Sequence, residues 1–115
     1  MPRFVVLTHD HPHLHWDLLL EADGALRTWR LEMPPAPAAE IRAEALPDHR
    51  LMYLTYEGPV SGNRGRVDRW DAGSYEIVCW NAQRIELMLS GERIQGLIVI
   101  TQFKGTDWRF TWLDR

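Results

Sequence analysis

The chain has 115 residues, enough for one hydrophobic core but not two. Its 45% hydrophobic and 25% charged residues fit a soluble globular domain, and no apolar run approaches the roughly 20 residues that span a bilayer. A formal charge of −3 argues against a broad basic face for wrapping duplex nucleic acid, and a single cysteine, Cys79, excludes an internal disulfide or a cysteine-rich zinc site.

The opening MPRFVVLTHD lacks the long apolar stretch and small-residue cleavage site of a signal peptide, so a cytoplasmic protein with no membrane association is expected. Within it RFVVLTH is apolar and β-branched and predicts a strand over 3–9. HDHP then turns, with Pro12 as punctuation. HLHWDLLLE alternates: Leu14, Trp16, Leu18 and Leu20 face one way, and His13, His15, Asp17, Leu19 and Glu21 the other. Asp23-Gly24 is a hairpin signal, and LRTWRL is the returning strand. The proline-rich EMPPAPAAE predicts an extended surface loop inside the domain. IRAEAL combines helical propensity with alternating apolar residues, and LMYLTYEG is equally ambiguous; PVSGNRG is a glycine-bearing loop. RVDRW is expected to lead through Asp71-Ala72-Gly73 into SYEIVCW, whose apolar setting places Cys79 in the core. RIELMLS turns at Gly91 into RIQGLIVIT, and DWRFTWL ends the chain with Trp108, Phe110 and Trp112 on one face. Seven to nine short strands and little helix predict an all-β fold of one domain over 1–115. A closed or nearly closed antiparallel β-barrel, in which closure hides the edges, comes first, and a β-sandwich second.

Four of the five histidines lie at positions 9, 11, 13 and 15. His9 ends the first predicted strand; His15 and Asp17 share a face of the second, roughly 6.5–7 Å apart along it. If the two strands pair around the turn at 10–12, His9 reaches the same patch. Two imidazoles and a carboxylate then suit a borderline divalent ion such as Zn²⁺ or Mn²⁺, with positions left open for water and substrate. Against this, isolated strand histidines are usually structural or exposed, and an H-x-D pair alone is a weak motif. His11 falls in the turn, while His13 is a reserve ligand or a partner behind the ligands. His49, in PDHRLMYLTYEG, has Tyr53 four residues on. An imidazole that titrates near neutrality suits proton transfer or phosphate contact; the alternative is a loop histidine with no role.

The run RFVVLTHDHPHLHWDLLLEADGALRTW, then PDHRLMYLTYEG, then VDRWDAGSYEI, resembles the 3′-phosphoesterase domain of bacterial DNA ligase D, a family with small stand-alone members. The family's first block has a histidine-aspartate pair, a short turn, L-H-Y-D-x-R-L-E, then D-G-x-L-x-S-W. Its second has E-D-H-P-L-x-Y-x-x-F-E-G, a glycine-rich loop, then W-D-x-G. The match covers most of the chain in the same order. The resemblance implies a compact β-barrel and manganese- or other metal-dependent trimming of 3′ ends in DNA repair, removing a terminal ribonucleoside and then the 3′ phosphate. It implies that His9, His15 and Asp17 bind the metal, that His49 contacts the scissile phosphate, and that Tyr53 stands beside it.

Three positions depart from the family's pattern. Leu19 stands where the family places a phosphate-gripping arginine, Pro47 where it places glutamate, and the glycine-rich loop is abbreviated to PVSGNRG. Losing an arginine that clamps phosphate charge costs several orders of magnitude in rate unless another cation replaces it; Arg50, Arg64 and Arg66 are the substrate-binding candidates. The leading expectation is a phosphoesterase acting on nucleic acid 3′ ends with Mn²⁺, or else Zn²⁺, as a monomer whose ligase or polymerase partners are separate chains. A non-catalytic module that binds phosphorylated ends is the second, favoured by Leu19 and Pro47. A barrel whose histidines do no chemistry is the third.

Overall fold

Alternating strands need partners on both edges, and the computed structural model, which describes residues 1–114, shows how they find them. The strands are β1 (Arg3–His9), β2 (His15–Ala22), β3 (Ala25–Leu31), β4 (Glu40–His49), β5 (Gly58–Pro59), β6 (Arg66–Trp80), β7 (Arg84–Gly91), β8 (Gln95–Lys104) and β9 (Asp107–Asp114). One turn of 3₁₀ helix, η1 (Leu51–Leu54), separates β4 from β5. The sheet runs β1-β2-β3-β4-β9-β8-β7-β6, and β6 pairs back onto β1, so eight antiparallel strands close into a barrel with β5 appended to β6. The predicted closed barrel is what forms.

Tertiary pairing resolves the ambiguous segments. IRAEAL becomes strand β4 because β3 and β9 flank it and its alternation then buries Ile41 and Ala43. LMYLTYEG supplies η1 instead. The expected break at Asp71-Ala72-Gly73 is absent: β6 is one strand of 15 residues. It pairs with β1 through Ser74 and with β7 from Gly73 onward, so this segment is the handover between two neighbours. The Asp71 carboxylate accepts hydrogen bonds from the backbone N–H of Ala72 and Glu92 at 2.9 Å and of Ile94 at 2.8 Å. It thus braces the turn between β7 and β8. A side chain at Gly73 would overlap the Ser90 carbonyl, which is why the strand is bare there. Cys79 is half-buried, not core: a bulge between Ile77 and Cys79 breaks the alternation, and Ile77 and Val78 are exposed beside it. Leu14 likewise misses the core, since it precedes β2 and is exposed.

The barrel interior holds Phe4, Val6, Leu18, Leu20, Trp29, Leu31, Trp108, Phe110 and Trp112 among others. A second apolar cluster lies on the outside of the wall, where Val5, Leu7, Leu19, Leu26 and Val67 seat Leu54 of η1. Leu18, Leu19 and Leu20 are therefore all fully buried although they alternate. Each such burial stabilises by about 1.5–3 kcal/mol. The outer cluster fixes η1 against the wall beside the histidines. Among the described residues no helix is long and apolar enough to cross a membrane.

Candidate metal centre

Antiparallel register sets His9 opposite His15 and Leu7 opposite Asp17 across β1 and β2. The odd-numbered residues of both strands face outward, so the two imidazoles and the carboxylate meet on the barrel's outer wall. The His9 ring donates Nε2–H to the Arg64 carbonyl at 2.9 Å, because a carbonyl can only accept, and this leaves Nδ1 as a lone pair. The His15 ring donates Nδ1–H to the His13 carbonyl at 2.8 Å and leaves Nε2. Both free nitrogens point at one carboxylate oxygen: Asp17 Oδ2 lies 3.6 Å from His9 Nδ1 and 3.3 Å from His15 Nε2. The second contact is too poorly aligned for a hydrogen bond. One ligand atom from each residue can be chosen so that all three lie within 4.8 Å of one another.

With both rings neutral, three electron-pair donors thus face a common space, and among the described residues no other group donates to them. His15 Nε2 and Asp17 Oδ1 are buried without a hydrogen-bond partner among the described residues. Orphaned polar atoms of this kind cost about 1–3 kcal/mol each, and a divalent cation removes the deficit at a stroke. The residues fit such an ion, and the N₂O donor set suits manganese or zinc. Without an ion, protons compete for the same space, since an imidazole N–H, and not a lone pair, stabilises the adjacent carboxylate. Burial pushes the Asp17 carboxyl up, but the adjacent imidazoles of His15 and His9 outweigh it and hold the group down at about 2. Contact with Asp17 raises His9, against the opposing effect of its partial burial, and the Arg64 carbonyl adds to the rise.

The abbreviated loop is packed tightly enough to do this. Gly65 has φ +77°, and a side chain there would overlap the Asp10 carboxylate, which accepts the Arg66 backbone N–H at 2.8 Å. The loop is thereby pinned to the turn after β1, and the Arg64 carbonyl is delivered to His9.

His49 arrives by a different route. Between β3 and β4 the pairing shifts, with Thr28 opposite Leu46 but Leu26 opposite His49. The extra residue on β4 reverses its alternation. His49 would otherwise share the inward face of Ala43 and Ala45; instead it stands outside with Thr28. Its Nδ1–H is shared between the Pro47 carbonyl at 3.1 Å and Thr28 Oγ1 at 3.2 Å, leaving Nε2 free. The Tyr53 ring meets the imidazole edge-on, at 6.0 Å between centroids.

A cleft of about 470 Å³ collects His9, Asp17, His49, Tyr53, Arg50 and Arg64 along its wall. His15 lies behind it and borders an adjoining cleft of about 350 Å³. Arg66 is not brought in: its guanidinium is engaged by Asp68 at 3.0 Å, two residues along the same strand. Arg64 reaches the wall but bonds its own loop, at the Ser61 carbonyl and hydroxyl. Sequence reasoning missed the carbonyls of Arg64 and His13, the Thr28 hydroxyl and Arg30, which lines both clefts. Backbone carbonyls carry no residue signature. Arg30 was within reach, since counting back from the Asp23-Gly24 hairpin sets it opposite Asp17.

A profile of the DNA Ligase D 3′-phosphoesterase domain matches residues 7–102. The chain belongs to this family. It is 31% identical over 122 aligned residues to the multifunctional non-homologous end joining protein LigD of Mycolicibacterium smegmatis, covering 92% of this chain and 16% of that protein. Its identity to LigD of Pseudomonas aeruginosa is 33% over 104 residues, covering 82% of this chain and 12% of that one. For the Mycobacterium tuberculosis protein it is 29% over 114 residues, 91% and 15%. The chain therefore spans a sixth or less of the length of these relatives. Against the 3′-phosphoesterase pattern, Leu19 is no surface vacancy: it is wholly buried in the outer cluster that seats η1.

Proposed function

We propose that this chain is a metal-dependent 3′-phosphoesterase, removing a 3′ phosphate or a terminal 3′ ribonucleoside from nucleic acid ends in end-joining repair. The observation that carries the reading is the pair of imidazole lone pairs, each fixed by a backbone carbonyl and aimed at the Asp17 carboxylate, beside a cleft that also holds His49. The repair context is supported by the family and by the end-joining named in its relatives. In this reading the chain acts as a monomer.

His9 Nδ1, His15 Nε2 and Asp17 are the ligand atoms for a divalent ion, Mn²⁺ first and Zn²⁺ second. When bound, that ion supplies Lewis-acid polarisation of the phosphoryl group. The chain's own residues do the rest. The Arg64 and His13 carbonyls hold the two rings in the ligating tautomer and orientation. His49, anchored through Nδ1–H, presents Nε2 to the phosphate, where it would hydrogen-bond a phosphoryl oxygen or pass a proton to the leaving oxygen as a water supplies the oxygen that phosphorus gains. Tyr53 restricts the ring's tilt.

A 3′-phosphorylated oligonucleotide incubated with Mn²⁺ should release inorganic phosphate, and His15→Ala should reduce release to background while leaving the fold intact by circular dichroism. The burial of Leu19 favours a second reading, an end-binding module without turnover. Tight binding of the same oligonucleotide with no phosphate released by the wild-type chain would select it.

A further inference from the structure

The family's arginine position is filled by a buried leucine, so the guanidinium that grips phosphate must come from elsewhere or be missing. From the geometry we infer that Arg30 supplies it, acting from β3 instead of β2; this rests on the phosphoesterase reading above. Arg30 is the direct cross-strand partner of Asp17, and Leu19 is the partner of Thr28. Directly opposed residues in a sheet stand about 5 Å apart, so the cation has moved one strand sideways and stays next to the ligating carboxylate. It shares the cleft wall with His9, Asp17 and His49.

The state of the side chain marks it out from Arg64 and Arg66, and its place beside Asp17 marks it out from Arg50, which also lines the cleft. Among the described residues Arg30 Nε is buried with no hydrogen-bond partner. Its nearest ion pair is a 3.9 Å contact to Glu44, whose side chain is 54% exposed and therefore a weak competitor. Arg66 and Arg64, by contrast, are already engaged by Asp68 and Ser61. A guanidinium held in place, short of partners and opening on the cleft is suited to bidentate contact with phosphate oxygens. The Thr28 hydroxyl, two residues back on the same face, holds His49. One strand thus positions both the proton-bearing imidazole and the phosphate clamp.

The test compares Arg30→Met, which keeps the apolar stem, and Arg30→Lys with wild type and Arg64→Ala. Phosphate release from a 3′-phosphorylated oligonucleotide should fall about 10²- to 10³-fold in Arg30→Met, with Mn²⁺ affinity unchanged by titration calorimetry. Arg30→Lys should recover only part of the loss, and added guanidinium chloride at millimolar concentration should stimulate Arg30→Met but not wild type. A loss below threefold in Arg30→Met, or a larger loss in Arg64→Ala, overturns the inference. Binding separates this from failure of the enzyme reading. If the wild-type chain releases no phosphate, preference for a 3′-phosphate over a 3′-hydroxyl end that vanishes in Arg30→Met still supports the clamp, and preference that survives refutes it.

Discussion

At the scale of single residues, His9 and Asp17 should give the proposed metal site opposite pH behaviour with and without an ion. Asp17 has its folded value lowered from 3.8 to about 2, so the stability it contributes is whole above 3.8 and is lost as pH falls through 2; the shift corresponds to about 2 kcal/mol. His9 is raised above 6.5, so its contribution is whole below 6.5 and is lost as pH climbs through the folded value. Metal-free protein should accordingly be most stable between about pH 4 and 6.5 and weaken toward pH 8, as read by urea denaturation in EDTA. Mn²⁺ bound at the proposed site should reverse the slope, since it would displace the His9 proton and its affinity would rise with pH over the same interval. A chain whose urea midpoint in Mn²⁺ follows the EDTA curve across pH 6–8 has no ion at these residues. The triad was legible in the sequence because alternation and a short turn fix the register of β1 on β2. Arg30 needed the same counting carried one strand further.

Whole elements were legible where period and pairing agree, and opaque where a bulge intervenes. Nothing in PDHRLMY announces that β4 takes an extra residue, yet that residue is what puts His49 on the outer face. Asp71-Ala72-Gly73 misled for a related reason. Asp-x-Gly chemistry suits a turn, but here it serves a neighbouring one, with Asp71 capping backbone N–H groups of the β7–β8 connection. Asp71→Ala should therefore cost about 2–4 kcal/mol, since it leaves buried donors unpaired. Amide exchange should accelerate at Glu92 and Ile94 before it does elsewhere. Asp71→Asn, retaining one acceptor oxygen, should lose roughly half as much. Equal exchange rates in wild type and Asp71→Ala would show that the turn holds itself.

For the molecule as a whole, closure joins the site to global stability. His9 and His15 sit on β1 and β2, and β1 is also the strand that meets β6 to complete the barrel. An ion held across this pair binds the folded chain alone. At a hundred times its dissociation constant Mn²⁺ should add about 2.7 kcal/mol, a rise in Tm of about 10 °C. EDTA should reverse the rise, and His15→Ala should show none, in scanning calorimetry. The barrel itself was legible from strand count, turn spacing and the absence of helical periodicity. The outer apolar cluster was not, because its residues read as polar-face positions: Leu19 and Leu7 fall on the same side as Asp17 and His9.

That side is the exterior, and the interior is filled by tryptophan, phenylalanine and leucine. A catalytic chamber inside a barrel admits only what its bore allows. The proposed site, mounted outside, would impose no such gauge: a polymer of any length could offer its terminus to the flank while the remainder trails into solvent.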